Sequence, residues 1–217
     1  MLKDDQIVWA IHQMEDEIGP VGPSLDSRTP FQYLISVILS AQATDVSVNK
    51  VTPILFEKYP DPQDLMVANV TDVEAIIKSV GLFHNKARNI IKTARIVHEE
   101  LADVVPTDRK GIMALPGAGR KTANVVLSDV FDQPTFAVDT HVSAISKRLH
   151  FVAQNASPLQ VEQKIVGVLP PKELHQAHHT MIEYGRKYSM KLPPDKEVCQ
   201  LIIDCDQLNE ENEAING

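Results

Sequence analysis

The fold turns on one stretch, Leu115-Pro116-Gly117-Ala118-Gly119-Arg120-Lys121-Thr122-Ala123-Asn124. A helix is expected to end near Ala114, a Pro-Gly-x-Gly turn follows, and a second helix begins near Arg120. Gly117 and Gly119 are free to adopt positive φ, which lets the backbone approach another surface closely. The N–H groups of the turn and of the new helix then face outward as a cradle for a phosphate oxygen. Two glycines alone would mark only a helix–turn–helix. The residues around them have to decide.

Working outward, the chain reads as helices joined by short loops. Ile7, Ala10, Ile11, Met14 and Ile18 keep helical spacing in the first segment. Thr29-Pro30-Phe31-Gln32, Thr71-Asp72-Val73-Glu74 and Ser157-Pro158-Leu159-Gln160 carry reciprocal capping signatures. Pro30 and Pro158 stand at the first helical position, where a missing N–H is harmless. Asp61-Pro62 offers a similar start. Thr135-Phe136-Ala137-Val138 is too short to count as a strand against this pattern. An all-α protein is expected, with no internal repeat and a polar, acidic end from Asn209 to Gly217.

Composition narrows the classes. Hydrophobic residues form 43% and charged residues 23% of 217, values of an ordinary folded domain. Acids interrupt the apolar N-terminus, so it does not read as a secretory signal. No apolar run approaches the ~18 residues of a membrane span. Two cysteines, Cys199 and Cys205, are too few for a disulfide framework, and a cytoplasmic setting is expected. The net charge is −8, yet five acids and no base lie in Asp204–Gly217. Without those five, 24 acids face 21 bases. Residues 75–98 hold Lys78, Lys86, Arg88, Lys92 and Arg95 without an acid, and residues 109–128 hold Arg109, Lys110, Arg120 and Lys121. Such clusters are usually solvated helix faces, but they permit a nucleic-acid partner.

The string L-P-G-x-G-x-K-T-A resembles the helix–hairpin–helix of DNA glycosylases, and the resemblance extends along the chain. Leu39-Ser40-Ala41-Gln42-Ala43-Thr44-Asp45, Val80-Gly81-Leu82-Phe83-His84-Asn85-Lys86-Ala87, Ala137-Val138-Asp139-Thr140-His141-Val142 and His178-His179 through Gly185-Arg186 each find a counterpart. Residues 29–205 are thus similar, in one order, to the endonuclease III family. The resemblance implies two helical lobes with a DNA-binding cleft between them. Residues 23–133 would form a six-helix lobe with the hairpin; residues 1–22 plus 134–217 would form the other and set Asp139 opposite Lys121. It further implies a monomer acting on damaged double-stranded DNA, with no membrane partner.

The implied activity is base excision coupled to strand nicking at abasic sites, on oxidised or ring-saturated pyrimidines. Lys121 would be the nucleophile. It falls in the first turn of a helix, beside Arg120, where both positive potentials disfavour a further positive charge. Asp139 would be its carboxylate, stabilising the cationic sugar and accepting a proton; its bare pattern equally suits an N-cap. Gln42 would pair with the orphaned partner base and Leu82 would wedge the stack. Lys86, Gly117, Gly119 and Arg120 are further DNA-binding candidates, and Thr44 and Asp45 are pocket or capping residues. Relatives hold a monovalent cation on hairpin carbonyls, which makes that turn a candidate cation site.

One element departs from the family pattern. Many relatives ligate a [4Fe–4S] cluster through four cysteines, which fall here on Ser189, Lys196, Cys199 and Cys205. No cluster and no metal is expected, so Met190, Leu192, Val198, Leu201, Ile202 and Ile203 must hold that segment by packing. His175, His178 and His179 read as packed or exposed residues rather than zinc ligands. Two other readings stay open. A monofunctional mismatch adenine glycosylase lacks a lysine at position 121 and uses an acid near the early helix, where Ala41-Gln42-Ala43-Thr44 has none. A non-catalytic helix–hairpin–helix DNA-binding protein leaves Lys121, Asp139 and Gln42 unexplained.

Overall fold

The computed structural model of the chain describes residues 1–188 and 200–216. Their regular structure is helical throughout, with no strand among the described residues; residues 135–138 are extended coil. The chain opens with α1 (Asp4–Ile18). It then forms α2 (Pro30–Ser40), α3 (Asp45–Lys58), α4 (Pro62–Met66), α5 (Val70–Ile76), α6 (Phe83–Glu99), α7 (Arg109–Met113) and α8 (Arg120–Phe131). Then come α9 (Thr140–Arg148), α10 (Pro158–Val168), α11 (Leu174–Tyr188) and α12 (Gln200–Asn216). Residues 23–133 form one compact unit; residues 1–22 and 134–217 form another.

Most helix starts follow their capping residues. Thr29 accepts from the Gln32 amide at 3.2 Å, Asp61 from Asp64 at 3.0 Å, and Ser157 with Gln160 forms a complete capping box. At α5 the expected cap is displaced. The N-cap is Asn69, whose side chain accepts from Thr71 N at 3.0 Å, so Thr71–Glu74 lies inside the helix. Asparagine caps at least as well as threonine, and the one two residues upstream prevails.

In the unit of residues 23–133, α2 is buried from Phe31 to Leu39. A helix without a wet face belongs in an interior, and α2 packs on α3, α6 and α8. The buried Gln32 amide donates to Pro60 O at 3.0 Å. This unit has seven helices where six were expected; α4 and α7 are only five residues each. In the other unit, Ile7, Ile11 and Met14 of α1 share a core with Val142 and Ile145, Val161 and Ile165, Met181 and Tyr184, and Leu201, Ile202 and Cys205. The Arg148 guanidinium grips the Asp206 carboxylate at 2.8 and 3.0 Å, and His150 Nε2 lies 2.8 Å from the same carboxylate, tying the end of α9 to α12.

Candidate active site

The turn between α7 and α8 is locked from several sides. Gly117 has φ +82°, and a Cβ there would meet Asn89 Nδ2 at 3.0 Å and Ile38 Cγ2 at 3.1 Å. Only glycine satisfies both demands. The buried Thr93 hydroxyl donates to Pro116 O at 3.0 Å, and Arg109 Nε donates to Asn124 Oδ1 at 2.9 Å. Gly119 differs from expectation: its φ is −97°, ordinary extended backbone, and it serves as N-cap of α8. A glycine cap offers no side chain to the first-turn N–H groups, which remain for an external acceptor. Arg120 and Lys121 are the first two residues of α8; Lys121 is exposed and Arg120 half-buried.

Two loops of the same unit meet beside this turn. Gln42, between α2 and α3, has φ +55° and is exposed; Leu82, the N-cap of α6, has φ +60° and is 57% exposed. Left-handed backbone at a residue other than glycine costs about 1–2 kcal/mol and concentrates at ligand clamps. A Cβ on Gly81 would lie 3.7 Å from Gln42 O, so the loops adjoin. Between them lies a recess of about 130 Å³ lined by Gln42, Leu82, Asn85, Lys86, Asn89 and Gly117, with Ile38 and Ala41.

Lys86 corrects the sequence reading. Arg88, Lys92 and Arg95 are exposed, as a solvated face requires, but Lys86 is buried and its Nζ has no hydrogen-bond partner. Burial holds its amine below the usual lysine range. Asn85 and Asn89 were missed. They stand one turn apart on α6, either side of Lys86, and that i, i+4 spacing was the available signal.

Asp139 belongs to the other unit. It is the N-cap of α9, its Oδ1 accepting from Val142 N at 2.8 Å. The extended residues before it are anchored, since Phe136 is fully buried and meets the buried His178 ring edge-on at 5.7 Å. A Cβ on Gly185 of α11 would stand 3.0 Å from His141 Cβ, so close helix packing fixes the segment just after Asp139. Thr44 caps α3 by accepting from Ser47 N at 3.2 Å, and Asp45 accepts from the Ser24 hydroxyl at 2.5 Å. Of the expected site residues, Gln42, Leu82, Lys86 and Gly117 therefore line one recess. Lys121 shares their unit, whereas Asp139 is fixed in the other.

Residues 35–171 match the HhH-GPD superfamily of base excision DNA repair proteins. The chain is 38% identical to endonuclease III of Bacillus subtilis over 205 residues, 94% of each protein. It is 47% identical to endonuclease III of Escherichia coli over 162 residues, 75% of this chain and 76% of that one. The chain belongs to the endonuclease III family. A trapped endonuclease III–DNA covalent intermediate superposes with a TM-score of 0.90 at 42% identity, covering 98% of this chain and all of that one. A non-covalent endonuclease III–DNA complex gives 0.91 at 41%, with the same coverage.

Cys205 is fully buried in the core of its unit; Ser189, Lys196 and Cys199 lie outside the described residues. Two cysteines in the whole chain do not fit a [4Fe–4S] group that takes four thiolates, and no chemical step is routed through one. Of the residues expected to hold this segment, Leu201 and Ile202 are buried and Ile203 is 37% exposed; Met190, Leu192 and Val198 lie outside the described residues. The buried His178 and His179 pack edge-on to each other at 4.9 Å. Among the described residues no helix is long and apolar enough to cross a membrane.

Proposed function

We propose that this chain excises oxidised or ring-saturated pyrimidines from double-stranded DNA and then nicks the strand at the abasic site, with Lys121 as nucleophile. The Lys121 amine attacks C1′ as the C1′–N bond breaks and the base departs. The C1′–O4′ bond then breaks, opening the sugar ring with O4′ taking up a proton. The resulting imine acidifies C2′; loss of that proton expels the 3′ phosphate, and water then releases the enzyme. Asp139 stabilises the cationic sugar and accepts the proton lost by the amine. With Oδ1 spent on the α9 cap, that work falls to the other oxygen.

The observation that carries this reading is the placement of Lys121. It stands in the first turn of α8, beside amides left without a capping side chain by Gly119 and directly after the turn that Gly117 shapes. A phosphate on those amides brings the neighbouring sugar within a lysine's reach. Arg120 assists in holding the backbone. Gln42 and Leu82 enter the duplex to fill the place of the flipped nucleotide, an opening that costs a few kcal/mol. The unit of residues 23–133 grips DNA, and the unit built from both termini supplies Asp139. The protein works as a cytoplasmic monomer without an iron–sulfur cluster; a monovalent cation on the hairpin carbonyls is compatible with this scheme.

Borohydride reduction tests the reading, because only a Schiff-base enzyme becomes covalently joined to a damaged duplex. Wild type should be trapped and Lys121→Ala should not. Failure of wild type to trap would leave a monofunctional glycosylase or a binding module.

A further inference from the structure

The unit built from both termini has a groove of about 430 Å³ between α1 and α12 that no step of base excision uses. Asp5 and Trp9 line it from α1, and Asp204, Leu208 and Glu211 from α12. Their spacings, i, i+4 on the first helix and i, i+4, i+7 on the second, keep each set on one face. Trp9 is the single tryptophan of the chain and stays 37% exposed. An indole left in water beside a groove is a surface on which a partner can stack. The charge around it is one-sided. Helices α1 and α12 hold five acids each and neither lysine nor arginine. Lys164 answers Asp4, Lys187 answers Glu17 and Arg148 answers Asp206. Asp5, Asp204 and Glu211 form no ion pair with a described residue. Asp204 accepts from Gln200 Nε2 at 2.7 Å, a neutral donor.

We propose that this groove docks an extended, arginine-bearing segment of a partner protein, with one guanidinium stacked on Trp9 and others paired with Asp5, Asp204 and Glu211. Carboxylates gathered without a counter-charge repel one another, and a cation entering among them relieves that cost. A single metal ion does not suit them, because their oxygens do not all lie within 4.8 Å of one another. Positive charge spread along a chain does. Asp204 and Glu211 stand two turns apart on α12, about 10 Å of helix rise, which an extended peptide spans in about three residues. Arginine suits the groove better than lysine. Its flat guanidinium is weakly hydrated, stacks on an aromatic face and forks onto a carboxylate, whereas an ammonium is a compact, strongly hydrated point charge. Nucleic acid is a poor guest, since its phosphates meet charge of their own sign.

Fluorescence titration of the full chain tests the docking site, since Trp9 is the sole tryptophan emitter. The probe is acetyl-Arg-Gly-Gly-Arg-Gly-Gly-Arg-amide, set against the same peptide with lysine or with citrulline, the uncharged isostere of arginine. The arginine peptide should change Trp9 emission saturably. The lysine peptide should bind at least about threefold more weakly and the citrulline peptide at least about tenfold more weakly. Asp5→Asn combined with Glu211→Gln should weaken the arginine peptide about tenfold. Asp16→Asn with Glu210→Gln removes the same charge from exposed positions of the same helices outside the groove, and should stay within about twofold of wild type. Trp9→Leu, followed by calorimetry, should bind the arginine peptide about threefold more weakly. Equal loss in both double variants would identify a diffuse field and overturn the proposal. So would lysine and arginine peptides of equal affinity, a citrulline peptide that binds as well, or no binding to wild type. If Asp5→Asn with Glu211→Gln does not fold, the citrulline-to-arginine ratio on wild type and the calorimetry of Trp9→Leu still decide. A sedimentation mass that rises with concentration and reverts in Trp9→Leu would give the groove to a second copy of the chain and overturn the proposal too.

Discussion

Asp139 caps α9 through Oδ1 and Val142 N, and the proposed chemistry gives its charge a second duty at the sugar. Asparagine caps a helix as well as aspartate does, whereas alanine forfeits about 1 kcal/mol. Asp139→Asn should therefore keep its Tm close to wild type while single-turnover base excision falls at least about 100-fold, the loss typical of a removed electrostatic stabiliser. Asp139→Ala should lose the same rate and also melt lower. If the asparagine variant excises bases at the wild-type rate, the carboxylate has no chemical role. Gly117 makes a second case, as its φ of +82° and the Asn89 side chain, 3.0 Å from where a Cβ would stand, act together. Gly117→Ala should destabilise by about 1–3 kcal/mol in thermal melting. It should also weaken binding to undamaged and damaged duplex alike if, as proposed, the turn grips backbone rather than base.

Between elements, the joint of α9 with α12 should set the response to acid. Asp206 is held below the usual carboxylate range by hydrogen bonds from Arg148 and His150. A carboxyl with a lowered folded pKa adds stability above its unfolded value of about 3.9, and that stability disappears as pH falls through the folded value. Thermal melts of Asp206→Asn against wild type should therefore differ by about 1 kcal/mol at neutral pH and converge as pH falls through the lowered folded value, the modest size reflecting a part-exposed pair. A gap that persists at low pH would mean packing, not charge, sustains the joint. Elements of this kind were unequally legible in the sequence. The α7–α8 turn was legible because Pro-Gly-x-Gly has few conformations, and α2 and α10 because their caps and prolines sit at fixed offsets. Helices α4 and α7 are single turns, too short for any periodicity. The positive φ of Gln42 and Leu82 is imposed by the loops around them, which no propensity reports. Lys86 looked like its exposed neighbours because burial is decided by α2 and the hairpin, distant in sequence. Asn89 escaped for the same reason, since its contact with Gly117 spans 28 positions.

At the scale of the whole molecule, the proposed absence of a metal cluster requires another anchor for α12. The answer offered by the described residues is an apolar seam. Leu201, Ile202 and Cys205 of α12 join the core built by α1, α9, α10 and α11, and the Arg148–Asp206 pair closes it at the surface. Unlike a cluster, an apolar seam is insensitive to chelators and iron supply, and it loses stability by increments when side chains are trimmed. The purified protein should therefore contain no stoichiometric iron and show no iron–sulfur absorption, and chelator treatment should leave both Tm and Schiff-base trapping unchanged. Cys205→Ala should lower stability by about 1–2 kcal/mol, the effect of shaving a fully buried side chain, and leave trapping intact. A ligand to a cluster would behave otherwise, because removing one of four thiolates releases iron and takes the surrounding fold with it. Iron bound at one cluster per chain, lost in Cys205→Ala together with activity, would refute the seam and require ligands from outside the two cysteines of this chain.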